Sequence, residues 1–358
     1  MELSDVVATA MFTGVVLYGL FGGADFGSGF WDLTAGGARR GGRLRVLIDH
    51  SIGPVWEANH VWLIYILVFL WTAYPTVFAA ITTTLFIPLS LALLGIVLRG
   101  ANFAFRKYSA TMSQARLFGA LFAGASLIAP FFLGTVAGAI ASGRVPAEGY
   151  GDQLTSWLNP TSLLGGLLAV GTSAFLAGVF LTADAARSGD PALAAYLRPR
   201  VLTVSALTGA IAIAAIVPIR HDAPTLGAGL LGRAFPLIVV SAAAGVLTLV
   251  LVYRRRYRPA RIAAVVAVAA IVIGWAVAQT PWILVDQMLI AEAAGARATL
   301  QALLIVVALA AVTVVPALVY LFWLTQTDAW VRDETIHRGP GEQSGDPARS
   351  PAPQGRSD

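Results

Sequence analysis

Glu57, Asn59 and His60 fall within four residues of one another in IGPVWEANHVWLI (residues 52–64), and Asp25 stands inside GLFGGADFGSGFWDL (19–33). A carboxylate and an imidazole set in apolar sequence are groups that hand on protons, and polar groups at membrane depth mark functional positions. Glu57 and His60 are three residues apart, on one face of a helix, and Trp56 and His60 are one turn apart. On the same helical geometry Asn59 points elsewhere. Asp32 lies seven residues after Asp25 on the same face, Asp49 and His50 precede the second motif, and Arg99 closes the third apolar run. The series reads as titratable groups leading inward, with Asp32 and Asp49 at the entrance. Such a series carries protons.

Other chemistries find no support in the residue types. With no cysteine there is no thiolate metal site, iron–sulfur cluster or CxxCH haem attachment. His60 is the one histidine placed within an apolar run; His50 reads as loop, His221 as outer loop and His337 as tail. No paired-histidine pattern for a haem appears, and no Walker or Rossmann fingerprint.

The elements that must position these groups are membrane helices. The chain of 358 residues is 57% hydrophobic and 12% charged, about half the charge of a soluble domain. Its apolar runs predict an all-α polytopic membrane protein with nine spans, at roughly 6–32, 53–73, 76–98, 117–142, 161–184, 201–219, 234–253, 262–279 and 300–325. AGGARRGGRLR, AYP and RRRYRPAR read as joints, and 280–299 as an amphipathic connector. Residues 1–330 form one membrane domain; 331–358, rich in Pro, Gly, Ser and charge, read as a disordered cytoplasmic tail. The N-terminus has no basic residue before Arg39, so it is not a signal peptide and the first run stays as a helix.

Loop charges orient the spans. With the N-terminus outside and the C-terminus in the cytoplasm, only Arg144, Arg220, Arg233 and Arg297 of the 24 basic residues face outward. The net charge of +5 is therefore a membrane-topology signal and not a nucleic-acid footprint. At about 1.5 Å per residue, Asp25 lies roughly 12 Å from the cytoplasmic end of span 1, Glu57 roughly 8 Å and His60 roughly 12 Å into span 2.

Each group also has a purely structural account. Glu57 follows Gly53-Pro54 and suits the positive end of a helix. His60 could bond a carbonyl, and Asp25 could pair with Arg99. Glycines 19, 23 and 27 make a packing ridge, and Trp31, Trp56, Trp62 and Trp71 suit an interfacial belt. A proton-coupled secondary transporter would also bury carboxylates, but matching broken helices are missing from the later spans.

The segments LFGGADFGSGFWDL (20–33), LIDHSIGPVWEANHVWLI (47–64), YPTVFAAI (74–81) and LALLGIVLRGANFAFR (91–106) resemble subunit II of the cytochrome bd quinol oxidases. AEAAGARATLQALL (291–304) is similar to a late segment of that family. The resemblance implies two four-helix bundles plus one peripheral helix. It implies a haem-free subunit in the bacterial cytoplasmic membrane, beside a subunit I that carries two haems b and one haem d and oxidises quinol. It also implies proton supply from the cytoplasm through Asp25 and Glu57, with Trp56, Asn59, His60 and Arg99 beside them. Some members hold a structural quinone or small single-span accessory subunits.

Overall fold

The structure, a computed structural model, describes residues 2–52, 56–107 and 112–326. Side chains at 38–40, 52, 56–58, 103, 104, 106, 107, 112, 113, 115, 116, 322, 325 and 326 are outside the description, as is the tail assigned from sequence to 331–358. Helices dominate: α1 (Leu3–Thr34), α2 (Ala38–Ile52), α3 (Trp56–Ala73), α4 (Pro75–Thr84), α5 (Phe86–Lys107), α6 (Met112–Ala141), α7 (Pro160–Arg187), α8 (Pro191–Asp222), α9 (Pro224–Leu231), α10 (Phe235–Tyr253), α11 (Tyr257–Gln279), α12 (Ile290–Ala293) and α13 (Arg297–Gln326). Two short antiparallel strands, β1 (Trp282–Leu284) and β2 (Met288–Leu289), pair Trp282 with Leu289. The chain divides into two units, Met1–Val307 and Ala308–Asp358.

Helix starts follow local chemistry. Glu2 N–H donates to Asp5 Oδ2 at 3.0 Å at the head of α1. Asn159 accepts from Ser162 N–H at 2.9 Å ahead of α7, and Asp190 from Leu193 N–H at 2.9 Å ahead of α8. Both caps are followed by proline, whose missing N–H costs nothing there. Gly189, with φ of 77°, lets the chain reverse between α7 and the Asp190 cap.

Among the described residues, seven helices are long and apolar enough to cross a membrane: Leu3–Thr34, Leu117–Ala141, Pro160–Arg187, Pro191–Asp222, Phe235–Tyr253, Tyr257–Gln279 and Arg297–Leu321. Asn59–Ala73 and Pro75–Thr84 meet the same test only as a pair bent by 117°, and Phe86–Asn102 is a shorter apolar helix. The region read as a single third span, 76–98, is thus two helices broken at Leu85. Arg99 does not end the second of them. The amphipathic sequence GANFAFRK continues α5 to Lys107, which leaves Arg99 inside the helix. The basic joint after span 1 is also helical. Residues 38–52 form α2, so His50 lies on a helix and not in a loop. Leu44, Leu47 and Ile48 bury one face of α2 against α7 and its neighbours. The 280–299 connector forms the β1–β2 hairpin and α12.

Within the first unit, α1 packs on α3 and α6, and α6 on α5; α7 packs on α8 and α11, and α11 on α10. Helices α1 and α6 both lie against α7. The glycine ridge makes the central contact. A Cβ at Gly27 would meet Ser173 O at 1.9 Å, and one at Gly29 would meet Ser126 Cβ at 2.2 Å. Small residues here let α7 and α6 approach the α1 backbone on two sides. Trp31 anchors the crossing, its Nε1 donating to Ala174 O at 2.8 Å. A separate apolar cluster of Tyr18, Phe26 and Ala129, backed by Trp62, Leu63, Ile66, Ile96 and Leu133, fills the space among α1, α3, α5 and α6.

Candidate functional site: a buried aspartate–arginine pair among four helices

Four helices place one polar cluster inside that apolar space. Asp25 comes from α1 and Arg99 from α5, only 3% and 2% exposed. Arg99 Nη2 donates to Asp25 Oδ1 at 2.5 Å and to Asp25 O at 3.2 Å. Its Nε donates to Ser126 Oγ of α6 at 3.0 Å, and Ser126 in turn donates to Phe122 O at 2.7 Å. The guanidinium carbon lies 5.3 Å from the centre of the Phe26 ring and 5.0 Å from that of Phe122. A charge this deep must be paired, and this one is held by an ion pair, a hydroxyl and two aromatic rings.

Arg99 bonds one oxygen of the carboxylate. Asp25 Oδ2 is buried without a hydrogen bond of ordinary geometry among the described residues. The amide of Asn59, 3% exposed on α3, faces the same carboxylate. Adjacent residues on a helix are about 100° apart, so Asn59 can turn toward α1 beside His60. The expectation that Asn59 points elsewhere is corrected accordingly.

His60 joins the cluster from its outer edge. Its Nδ1 is 3.5 Å from Tyr18 Oη, and its ring centre is 6.1 Å from that of Tyr18 and 6.0 Å from that of Phe26. Asp25 and His60 are within electrostatic reach of each other. The structure therefore gathers Asp25, Asn59, His60 and Arg99, four of the residues singled out from sequence. Trp56 and Glu57 fall on the first turn of α3, and their side chains lie outside the description.

Asp32 and Asp49, the residues expected at the entrance, lie on α1 and α2. Asp32 is 3% exposed and bonded to α2: Arg45 Nε donates to its Oδ1 at 2.6 Å, while Arg45 Nη2 reaches Gly36 O at 2.8 Å. Its ion pair fastens α2 beneath α1. Asp49 lies half-buried on α2.

Sequence reading passed over Ser126, Tyr18 and a second carboxylate cluster. Asp184 near the end of α7 accepts from Arg261 of α11, from Arg187 at 2.9 Å and from Ser51 Oγ at 3.4 Å. Arg261 also donates to Phe180 O at 2.9 Å. The available signal was Asp184 itself, a lone acid in the last turn of an apolar helix. No group of three His, Cys, Asp or Glu among the described residues could hold a metal ion.

The chain's relatives agree on one family. It is 31% identical over 125 residues to the cytochrome bd ubiquinol oxidase subunit 2 of Bacillus subtilis, covering 34% of this chain and 37% of that one. It is 30% identical over 169 residues to the cytochrome bd-I ubiquinol oxidase subunit 2 of Escherichia coli, covering 45% and 44%. The matched stretch thus spans under half the length of each relative. The fold matches a chain of the bd oxidase from Geobacillus thermodenitrificans with a TM-score of 0.76 at 23% identity, over 90% of this chain and 98% of that chain. The family model for cytochrome bd terminal oxidase subunit II matches residues 3–325, nearly the whole described chain, and the protein belongs to that family.

Proposed function

We propose that this chain is the haem-free second subunit of a bd-type terminal oxidase in a bacterial cytoplasmic membrane. Its complex would oxidise quinol and reduce dioxygen to water, and this subunit would stabilise the haem-bearing subunit I and supply it with protons from the cytoplasm. The observation that carries the proton role is the buried Asp25 carboxylate, with Oδ1 held by Arg99 and Oδ2 without a hydrogen bond of ordinary geometry among the described residues. A side chain held still by one oxygen can accept and release a proton at the other. Asn59, His60 and Tyr18 line the space beside it, and Glu57 would stand one turn toward the start of α3. Family membership gives the transporter reading no support.

Two haems b and one haem d would belong to subunit I. The donors here do not suit a haem: the imidazole of His60 packs against the Tyr18 and Phe26 rings, and Asp25, Asn59, Arg99 and Ser126 are not axial ligands. A structural quinone and small single-span subunits are further partners that the family implies.

Nine crossings would be made by α1, α3, α4 with α5, α6, α7, α8, α10, α11 and α13. The N-terminus would lie outside and the C-terminus in the cytoplasm, with two four-helix bundles and one peripheral helix. The loop charges support that orientation. Asp25→Asn and Glu57→Gln, assayed in the purified complex for haem content and quinol-driven oxygen uptake, test the proton role. Intact haem with lowered turnover supports it.

A further inference from the structure

The arginines of this chain divide by what they touch. Arg43, Arg45, Arg99, Arg144, Arg187 and Arg261 each pair with an aspartate. Arg254, Arg255, Arg256 and Arg258, in the turn from α10 to α11, are all exposed and have no carboxylate partner among the described residues. Arg198 of α8 brings a fifth charge to the same place. Its Nη2 donates to Tyr253 O at 2.6 Å and its guanidinium lies 5.0 Å from the Tyr253 ring centre. Its Nε is enclosed and finds no acceptor among the described residues.

The turn is built against its own electrostatics. The C-terminal carbonyls of α10 favour Arg254, but Arg256 is the N-cap of α11 and Arg258 stands in its first turn, at the positive end of the helix dipole. Arg255 has φ of 57°. Arg256 N–H bonds to Leu251 O at 2.8 Å and Arg255 N–H to Val252 O at 3.1 Å, the paired bonds that end a helix on a left-handed residue. Glycine suits that position and arginine does not. The chain thus accepts backbone strain and like-charge repulsion, and no acid among the described residues pairs with these arginines.

An anion from outside the chain would offset the repulsion. We propose that Arg198, Arg254, Arg255, Arg256 and Arg258 form a docking site for the phosphate headgroups of anionic phospholipids. The patch sits at the common end of three apolar helices, α8, α10 and α11, where a bilayer surface would lie. Guanidinium forks match phosphate oxygens in geometry and charge. Tyr253 and Tyr257 place amphipathic rings at headgroup level. Basic clusters at such helix ends attract anionic lipid by about fivefold per arginine. The site does not depend on the oxidase reading.

The test uses the full protein in its native complex, titrated in detergent with phosphatidylglycerol or phosphatidylcholine and read by native mass spectrometry. Arg254→Gln with Arg256→Gln is expected to weaken phosphatidylglycerol binding by roughly 30-fold. Arg220→Gln with Arg297→Gln, which removes two exposed charges elsewhere, is expected to leave it unchanged, and phosphatidylcholine binding should move in neither. Arg255→Gly suits the backbone and should keep the fold while costing about fivefold. It decides the matter if the double variant fails to assemble. Equal losses in both double variants, or undiminished phosphatidylglycerol binding in Arg255→Gly, would overturn the site.

Discussion

Arg99 is surrounded on every named side by something that needs its charge: the Asp25 carboxylate, the Ser126 hydroxyl and the faces of Phe26 and Phe122. Arg99→Met should therefore destabilise the protein by about 3–5 kcal/mol, because it strands a buried carboxylate. Thermal unfolding of Asp25→Asn, Arg99→Met and the double variant measures this. The double variant should lose less than the sum of the singles, since no lone charge remains; additive losses would mean the two side chains are not coupled. The pairing itself accounts for Asp25 without any proton role, so that role stands on Oδ2, which has no hydrogen bond of ordinary geometry among the described residues. Asp25 and Arg99 were legible in the sequence because a charge in an apolar run has few explanations. Ser126 was not, since a serine in an apolar helix commonly bonds only its own backbone. Its contact with Arg99 depends on how closely α6 approaches α1 at Gly29.

That approach belongs to the helices. A Cβ at Gly27 would fall 1.9 Å from Ser173 O, so Gly27→Ala should cost about 1–3 kcal/mol by forcing α1 from α7. Unchanged thermal stability would mean α7 gives way freely. A second element-level expectation concerns the Asp190 cap of α8. Its carboxylate is held below the ordinary value of 3.8, first by the Leu193 N–H and then by Arg43. A depressed carboxylate stabilises the folded state fully above that ordinary value and loses its contribution as pH falls through its own lower one. Unfolding temperature against pH should accordingly fall less steeply on acidification in Asp190→Asn than in the wild type; parallel curves would contradict it. Periodicity and proline revealed most helix starts, including the Tyr74-Pro75 bend. The break at Leu85 was invisible because apolar residues continue through it. Helix α2 was hidden by glycines and arginines that read as a loop, and its helicity comes from burying Leu44, Leu47 and Ile48.

For the whole molecule, loop charge makes a prediction that helix packing cannot. The chain has no cysteine, so single cysteines report cleanly. Tyr150→Cys, between α6 and α7 and 89% exposed, should react with an impermeant maleimide only from the outer face. Ser188→Cys, exposed between α7 and α8, should react only after the cytoplasmic face is opened. The reverse pattern would invert the proposed orientation and put Asp25 in the wrong half of the membrane for cytoplasmic proton entry. The most direct test of the proton role is oxygen uptake by the purified complex carrying Asp25→Asn, measured with excess quinol and normalised to haem. The expected result is wild-type haem content with turnover reduced at least about a hundredfold, the lower end of what positioned proton transfer contributes. Full haem content with wild-type turnover would contradict it and leave Asp25 as a helix-pairing residue only.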